Sequence, residues 1–261
     1  MSQGSGSGFC TRGAAAFAAA LTLAAPGLAD AQQAAQLRGT TSPAPPPVQG
    51  LYSNAGGASR YSTPDGAVRF TFDRSLGRIA LLRFEGDPEV HVLRSVMAAG
   101  GGEIYRTEDG SLMLRVTPHG SVTVYTRANR GGAPASEDGR AAPLTPEAVA
   151  FADMQRRFRE LQVRAARNVG QQVTFVVPAQ MSAPQAGVVL DAAERAAAGL
   201  AAAPLTNVRR VVITIGATPG AILRGDQLTI QVAPNMGYAG RPSSNAIRNV
   251  VMTGQVQGPE Q

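Results

Sequence analysis

Between Phe70 and Tyr125 short apolar runs alternate with turn clusters about every ten residues, and this spacing constrains the fold more than any other feature of the chain. Read in twos, Val68, Phe70 and Phe72 share one face, as do Ala80, Leu82 and Phe84, and then Val90 and Val92 with Arg94 at the margin of the set. Polar positions take the other face, the alternation of a strand buried on one side. Ser75-Leu76-Gly77, Glu85-Gly86-Asp87-Pro88, Glu108-Asp109-Gly110 and Pro118-His119-Gly120 separate the runs, and they offer glycine for positive φ and Pro or Asp for turn initiation. Four such turns imply hairpins.

Laid on itself at a constant offset of 32, the stretch places Leu82-Arg83-Phe84 on Leu114-Arg115-Val116, Val90-His91-Val92 on Val122-Thr123-Val124 and Phe72-Asp73-Arg74 on Ile104-Tyr105-Arg106. With so few identities, duplication of a three-strand meander and chance similarity between strands both stay open. A three-stranded sheet cannot cover its own apolar face, so six strands are expected to pack as a sandwich or close into a small barrel.

Arg130 to Pro143, with Gly131-Gly132, Pro134 and Glu137-Asp138, reads as a linker, after which the period changes. Thr145, Pro146 and Glu147 suit the cap, first position and positive end of a helix. Phe151, Met154, Phe158, Leu161 and Ala165 recur on one stripe of it, while Arg156, Arg157, Glu160, Arg164 and Arg167 fall largely elsewhere. Gln171 to Val177 reads as a strand stopped by Pro178. Ser182-Ala183-Pro184-Gln185 is a capping box opening an Ala-rich helix that ends near Pro204. Val208 to Ile215 and Leu228 to Val232 read as strands joined by Gly216 to Asp226, and the tail from Pro234 as mostly irregular. The expected class is therefore α+β: an N-terminal six-strand antiparallel meander, barrel or sandwich, then a helix-strand-helix-strand-strand layer containing a βαβ unit. The β domain is expected at 62–128 and the α/β domain at 144–233, with linkers at 32–61 and 129–143 and a tail at 234–261.

The first 31 residues read as a cleavable signal peptide: Arg12, an Ala-, Leu- and Phe-rich core from Gly13 to Ala25, and small residues at Ala29-Asp30-Ala31. The core is too short to span a bilayer, so a soluble periplasmic product is expected, with no transmembrane segment in the mature chain. Gln32 to Tyr61, with Pro43-Ala44-Pro45-Pro46-Pro47, cannot bury enough apolar surface to offset chain entropy and is expected to be a disordered tether.

Cleavage would remove Cys10, the single cysteine, leaving no disulfide or thiol chemistry. All 24 basic residues are arginine, and the lack of lysine excludes Walker-type phosphate loops, Schiff-base chemistry and Ser-Lys nucleophile pairs. No GxSxG elbow or HExxH spacing occurs. Glu89 and His91 share a face by parity, which offers an acid–base pair or two metal ligands, or simply surface side chains. His119 sits in an exposed turn. Gly100-Gly101-Gly102 precedes a strand rather than a helix and so lacks the helix N-terminus of a phosphate loop. Glu85, Asp87 and Glu89 gather about one turn, as a calcium site or a solvated acidic turn would. Arg74, Arg83, Arg106 and Arg115 occupy matching places in the two halves of the meander. They offer an anion-binding surface unless Asp73, Glu85, Glu103 and Glu108 neutralise it. No cofactor and no nucleic-acid partner is expected.

Phe72-Asp73-Arg74-Ser75, Ala80 through Val90 (ALLRFEGDPEV) and Leu114 through Val124 (LRVTPHGSVTV) together resemble an uncharacterised family of exported bacterial proteins, domain of unknown function 4908, over Tyr61 to Ala233. The resemblance implies export and a common fold and brings no activity or catalytic residues. The expected function is a non-catalytic envelope binding or structural module, whose partner is an anionic envelope component or another envelope protein. A periplasmic hydrolase using Glu89 and His91 is the alternative.

Overall fold

The alternation around Phe70 to Tyr125 builds eight strands in a computed structural model that describes residues 57–203 and 206–254. They are β1 (Ala58–Ser62), β2 (Arg69–Leu76), β3 (Ile79–Phe84), β4 (Val90–Met97), β5 (Glu103–Arg106), β6 (Met113–Val116), β7 (Val122–Tyr125) and β8 (Ala133–Arg140). All neighbours are antiparallel and in chain order, and β8 returns to pair with β1, closing a barrel. Six strands are thus corrected to eight. The two extra strands come from segments read as linkers, and their physical reason is closure. β8 (APASEDGR) is too small and polar to signal a strand, yet it lies between β7 and β1 and hydrogen-bonds to both. Proline and glycine are tolerated there because Pro134 sits opposite Thr123 and the register shifts between Arg60 and Tyr61, opposite Gly139 and Glu137.

Eight staves enclose a space that side chains fill. Phe72, Leu82, Leu93 and Leu114 are buried there, Tyr61 stacks on Phe70 with ring centroids 5.4 Å apart, and Tyr105 meets Phe72 edge to face at 5.1 Å. The facing of β4 departs from expectation. Antiparallel pairing sets His91 opposite Leu82 and Leu93 opposite Ala80, so His91 and Leu93 take the inner parity and Val90 and Val92 face outward. The outward Leu81 and Val90 are covered by Leu144, with Val92 and Tyr238 at the edge of the same cluster. The offset of 32 consequently fails as a structural repeat: outward Val90 falls on inward Val122, and inward Phe72 falls on Ile104, whose neighbour Tyr105 is the one buried in the barrel.

The C-terminal part contains α1 (Phe151–Val169), β9 (Thr174–Val176), α2 (Ala183–Ala201), β10 (Arg210–Ile215), β11 (Gly220–Arg224), β12 (Gln227–Val232), a 3-10 segment at Pro234–Gly240 and α3 (Ser244–Thr253). Its sheet has the order β11-β12-β10-β9, with β9 and β12 parallel to β10 and β11 antiparallel to β12. The βαβ unit β9-α2-β10 is as expected. Two expectations are corrected: the connector Gly216 to Asp226 carries β11, and the tail carries α3, whose Ser243 side chain accepts from the Ala246 N–H at 3.1 Å. α2 contains little but Ala, Val, Leu and Gly over most of its length, and it is buried nearly all round, between the sheet on one side and α1 and α3 on others.

α1 also begins later than Thr145. Residues 141–150 stay non-helical because they are held elsewhere: the Leu144 N–H donates to Asp73 Oδ2 at 2.8 Å, and the Val149 N–H donates to the Ala183 carbonyl at 3.0 Å. Met154, Phe158, Leu161 and Ala165 form the buried stripe of α1, as its spacing requires, but Phe151 is exposed. This segment crosses α2 at Gly187, where an added Cβ would lie 1.8 Å from the Glu147 carbonyl oxygen. Gly187→Ala is therefore expected to cost about 3 kcal/mol, read as a lowered urea midpoint at unchanged slope.

A buried ionic cluster joins the barrel to this layer. Glu89, at the start of β4, accepts from the Ser244 N–H at 3.0 Å and from its hydroxyl, capping α3 from the barrel side. Arg195 of α2 lies 3.5 Å from the same carboxylate and 3.7 Å from Asp191. Arg241 donates through Nε to Asp191 and through Nη2 to the Val90 carbonyl at 2.8 Å. Removing one partner strands the other charge in a dry site, so Glu89→Ala is expected to destabilise the fold by about 3 kcal/mol in chemical unfolding, far beyond the effect of Glu85→Ala, whose carboxylate is exposed.

Candidate anion-binding face

Register decides which arginines meet. On the outer surface of the barrel, cross-strand pairing sets Leu76 opposite Ile79, Ile79 opposite Arg94, Arg94 opposite Arg106 and Arg106 opposite Met113. The adjacent row runs Val96, Ile104, Arg115, Thr123. Arg94, Arg106 and Arg115 are all exposed, and among the described residues none forms an ion pair. Like charges directly opposite one another on a sheet repel, at roughly 0.5 kcal/mol for a solvated pair.

Two of the four arginines singled out in the sequence, Arg106 and Arg115, therefore lie on neighbouring rows of one face, and Arg94 joins them there. Arg83 belongs to a different part of the outer face, opposite Val90 and near Tyr238 of the C-terminal layer. Arg74 has the parity of the interior and lies over the Phe72 ring, 5.6 Å from its centroid. The offset of 32 places no arginine opposite Arg94, which is why repeat reasoning passed over it. The signal that finds it is the hairpin at Gly100-Gly101-Gly102: pairs equally distant from Gly100, such as 94 with 106, face each other. These three glycines form a tight left-handed turn, and a Cβ on Gly102 would lie 2.4 Å from the Val116 carbonyl oxygen.

Of the four carboxylates expected to neutralise the arginines, three have other partners. Asp73 is buried and accepts from the Ser75 and Leu144 N–H groups. Glu85 lies 3.8 Å from Arg69, Glu103 accepts from the Tyr105 hydroxyl at 2.5 Å, and Glu108 is exposed in its turn without an ion pair. Among the described residues none of the four pairs with Arg94, Arg106 or Arg115.

The other sequence candidates separate. Glu89 enters the buried cluster with Arg195 and Ser244, whereas His91 Nε2 lies 3.3 Å from Asp87 and its ring packs on Phe84. The acid–base pair of Glu89 and His91 does not form. Glu85, Asp87 and Glu89 likewise turn to Arg69, His91 and Arg195 in turn, so they do not converge as calcium ligands. Among the described residues no group of three or more His, Cys, Asp or Glu is placed to hold a metal ion. His119 is exposed in its turn. The expected signal peptide, Cys10 and most of the 32–61 segment lie outside the described residues, and no helix among those described is long and apolar enough to cross a membrane.

Burial pushes the Tyr105 hydroxyl up, helped by its bond to Glu103 and the carboxylate's charge; burial likewise raises Tyr61 and Tyr238, beside Glu137 and Asp191 respectively. A tyrosine that keeps its proton longer folded than unfolded gives stability that is complete below the unfolded value near 10 and is lost as pH rises beyond it toward the folded value. Thermal melting is therefore expected to weaken above pH 10, and Tyr105→Phe to flatten that decline. Because Arg94 and Arg106 repel, Arg94→Gln is expected to leave stability unchanged or raise it by about 0.5 kcal/mol in urea unfolding.

The fold and site define an α+β protein built on a closed eight-strand antiparallel barrel with an exposed arginine face. Residues 49–251 match the family described as a domain of unknown function, DUF4908, and the chain belongs to that family. The match extends beyond the Tyr61 to Ala233 stretch of the sequence resemblance and takes in all of β1 and nearly all of α3. No curated protein and no solved structure matches the chain.

Proposed function

We propose that this chain is an exported, non-catalytic module of the bacterial envelope that binds an anionic partner through the outer face of β4, β5 and β6. The observation that carries the reading is Arg94 directly opposite Arg106, with Arg115 on the neighbouring row and no carboxylate paired to any of them. An arrangement that opposes folding is retained at low cost where a ligand supplies the missing negative charge, and a guanidinium suits phosphate, sulfate or carboxylate groups. The formal net charge of +6 favours approach to such a partner. Export is supported by the leader-like composition of the first 31 residues. The hydrolase alternative required Glu89 and His91 to act together, and they bond to different groups.

Titration with dextran sulfate at increasing salt tests the reading. Affinity is expected to fall steeply as salt rises, and Arg94→Gln, Arg106→Gln and Arg115→Gln together are expected to weaken it at least tenfold at low salt. Binding that ignores both salt and the three substitutions would show that this face is not the site.

A further inference from the structure

Beside the arginine face, the rim of the barrel carries three exposed apolar side chains. Leu76 closes β2, Val96 and Met97 close β4, and they are 48%, 43% and 64% exposed. The β2–β3 and β4–β5 turns lie at the same end of the barrel, tied by the Ser95 N–H donating to the Arg78 carbonyl at 2.9 Å. Arg78, itself exposed, is in the first of these turns. The end of the barrel therefore presents exposed Leu76, Val96 and Met97, with Arg78 in the turn beside them and Arg94 and Arg106 opposite one another three residues back along β4 and β5. Glu103, the acidic residue paired opposite Met97, is engaged by the Tyr105 hydroxyl.

Charge alone would serve a soluble polyanion, which would leave the three apolar side chains in water. A bilayer of anionic phospholipid satisfies both parts at once. Apolar side chains gain by entering the boundary between headgroups and acyl chains, while arginines a turn further back stay at the level of the phosphates. Each basic residue near such a surface adds to the attraction, and both hairpins belong to the closed barrel.

We propose that the barrel docks end-on to an anionic phospholipid surface, with Leu76, Val96 and Met97 inserted and Arg78, Arg94 and Arg106 on lipid phosphates. This rests on the anion-binding reading above and names its partner.

The chain has no tryptophan, so a single one reports on its own position. Full-length Met97→Trp and, as a control, Met252→Trp on exposed α3 are mixed with vesicles of phosphatidylcholine, with or without phosphatidylglycerol. The expected result is a blue shift of the Met97→Trp emission, and quenching by brominated acyl chains, only with phosphatidylglycerol; Met252→Trp should stay unshifted. Adding Arg94→Gln and Arg106→Gln should raise the lipid concentration for half the shift by about 30-fold. Because the readout is local, binding of vesicles through any other part of the chain does not produce it. If Met97→Trp stays unshifted while dextran sulfate still binds in an arginine- and salt-dependent way, the lipid proposal is overturned and the anion-binding reading stands. If arginine-dependent binding of dextran sulfate is missing as well, both fall. A shift that survives loss of the two arginines also overturns the docking geometry proposed here.

Discussion

The antiparallel ladder between Ala58–Ser62 and Ala133–Arg140 is the interaction on which the rest depends, since it turns a meander into a barrel without edges. Irregular segments in place of these two strands would leave β2 and β7 with unpaired backbone groups and the aromatic interior open on one side. Closure also makes the interior finite. Phe70, Phe72, Tyr61 and Tyr105 pack within it by stacked and edge-to-face contacts.

The outside is divided between two uses. Around Leu81, Val90 and Asp73 it is covered by the segment carrying Leu144 and by the 3-10 segment before Arg241. The ionic cluster of Glu89, Asp191, Arg195 and Arg241 lies along this seam, and such a cluster specifies geometry more than it adds stability, because desolvating four charges costs nearly as much as their attraction returns. Nη1 of Arg241 and Nε of Arg195 are buried without a hydrogen-bond partner among the described residues. Arg94, Arg106 and Arg115 are exposed, and among the described residues no carboxylate pairs with them. The contrast is informative: the protein places carboxylates against Arg195 and Arg241 and none against the outer arginines of β4, β5 and β6.

The sequence alone determined the α+β class, the periods that separate barrel from helical layer, the stripe Met154, Phe158, Leu161 and Ala165, the capping box at Ser182, and the βαβ unit. These are local: each follows from spacing within a few turns of chain or from one side chain bonding its own neighbourhood. Only the tertiary structure decided that β1 and β8 are strands, that residues 141–150 stay non-helical, that Glu89 and His91 part company, and that Arg94 faces Arg106. Those outcomes depend on partners far along the chain, such as Asp73 bonded to Leu144 or Glu89 to Ser244, and on hairpin register, where one step reverses the facing of a whole strand. Residue type carries no trace of such partners, so β8, with small and polar side chains, becomes a strand only because both of its neighbours offer it a ladder.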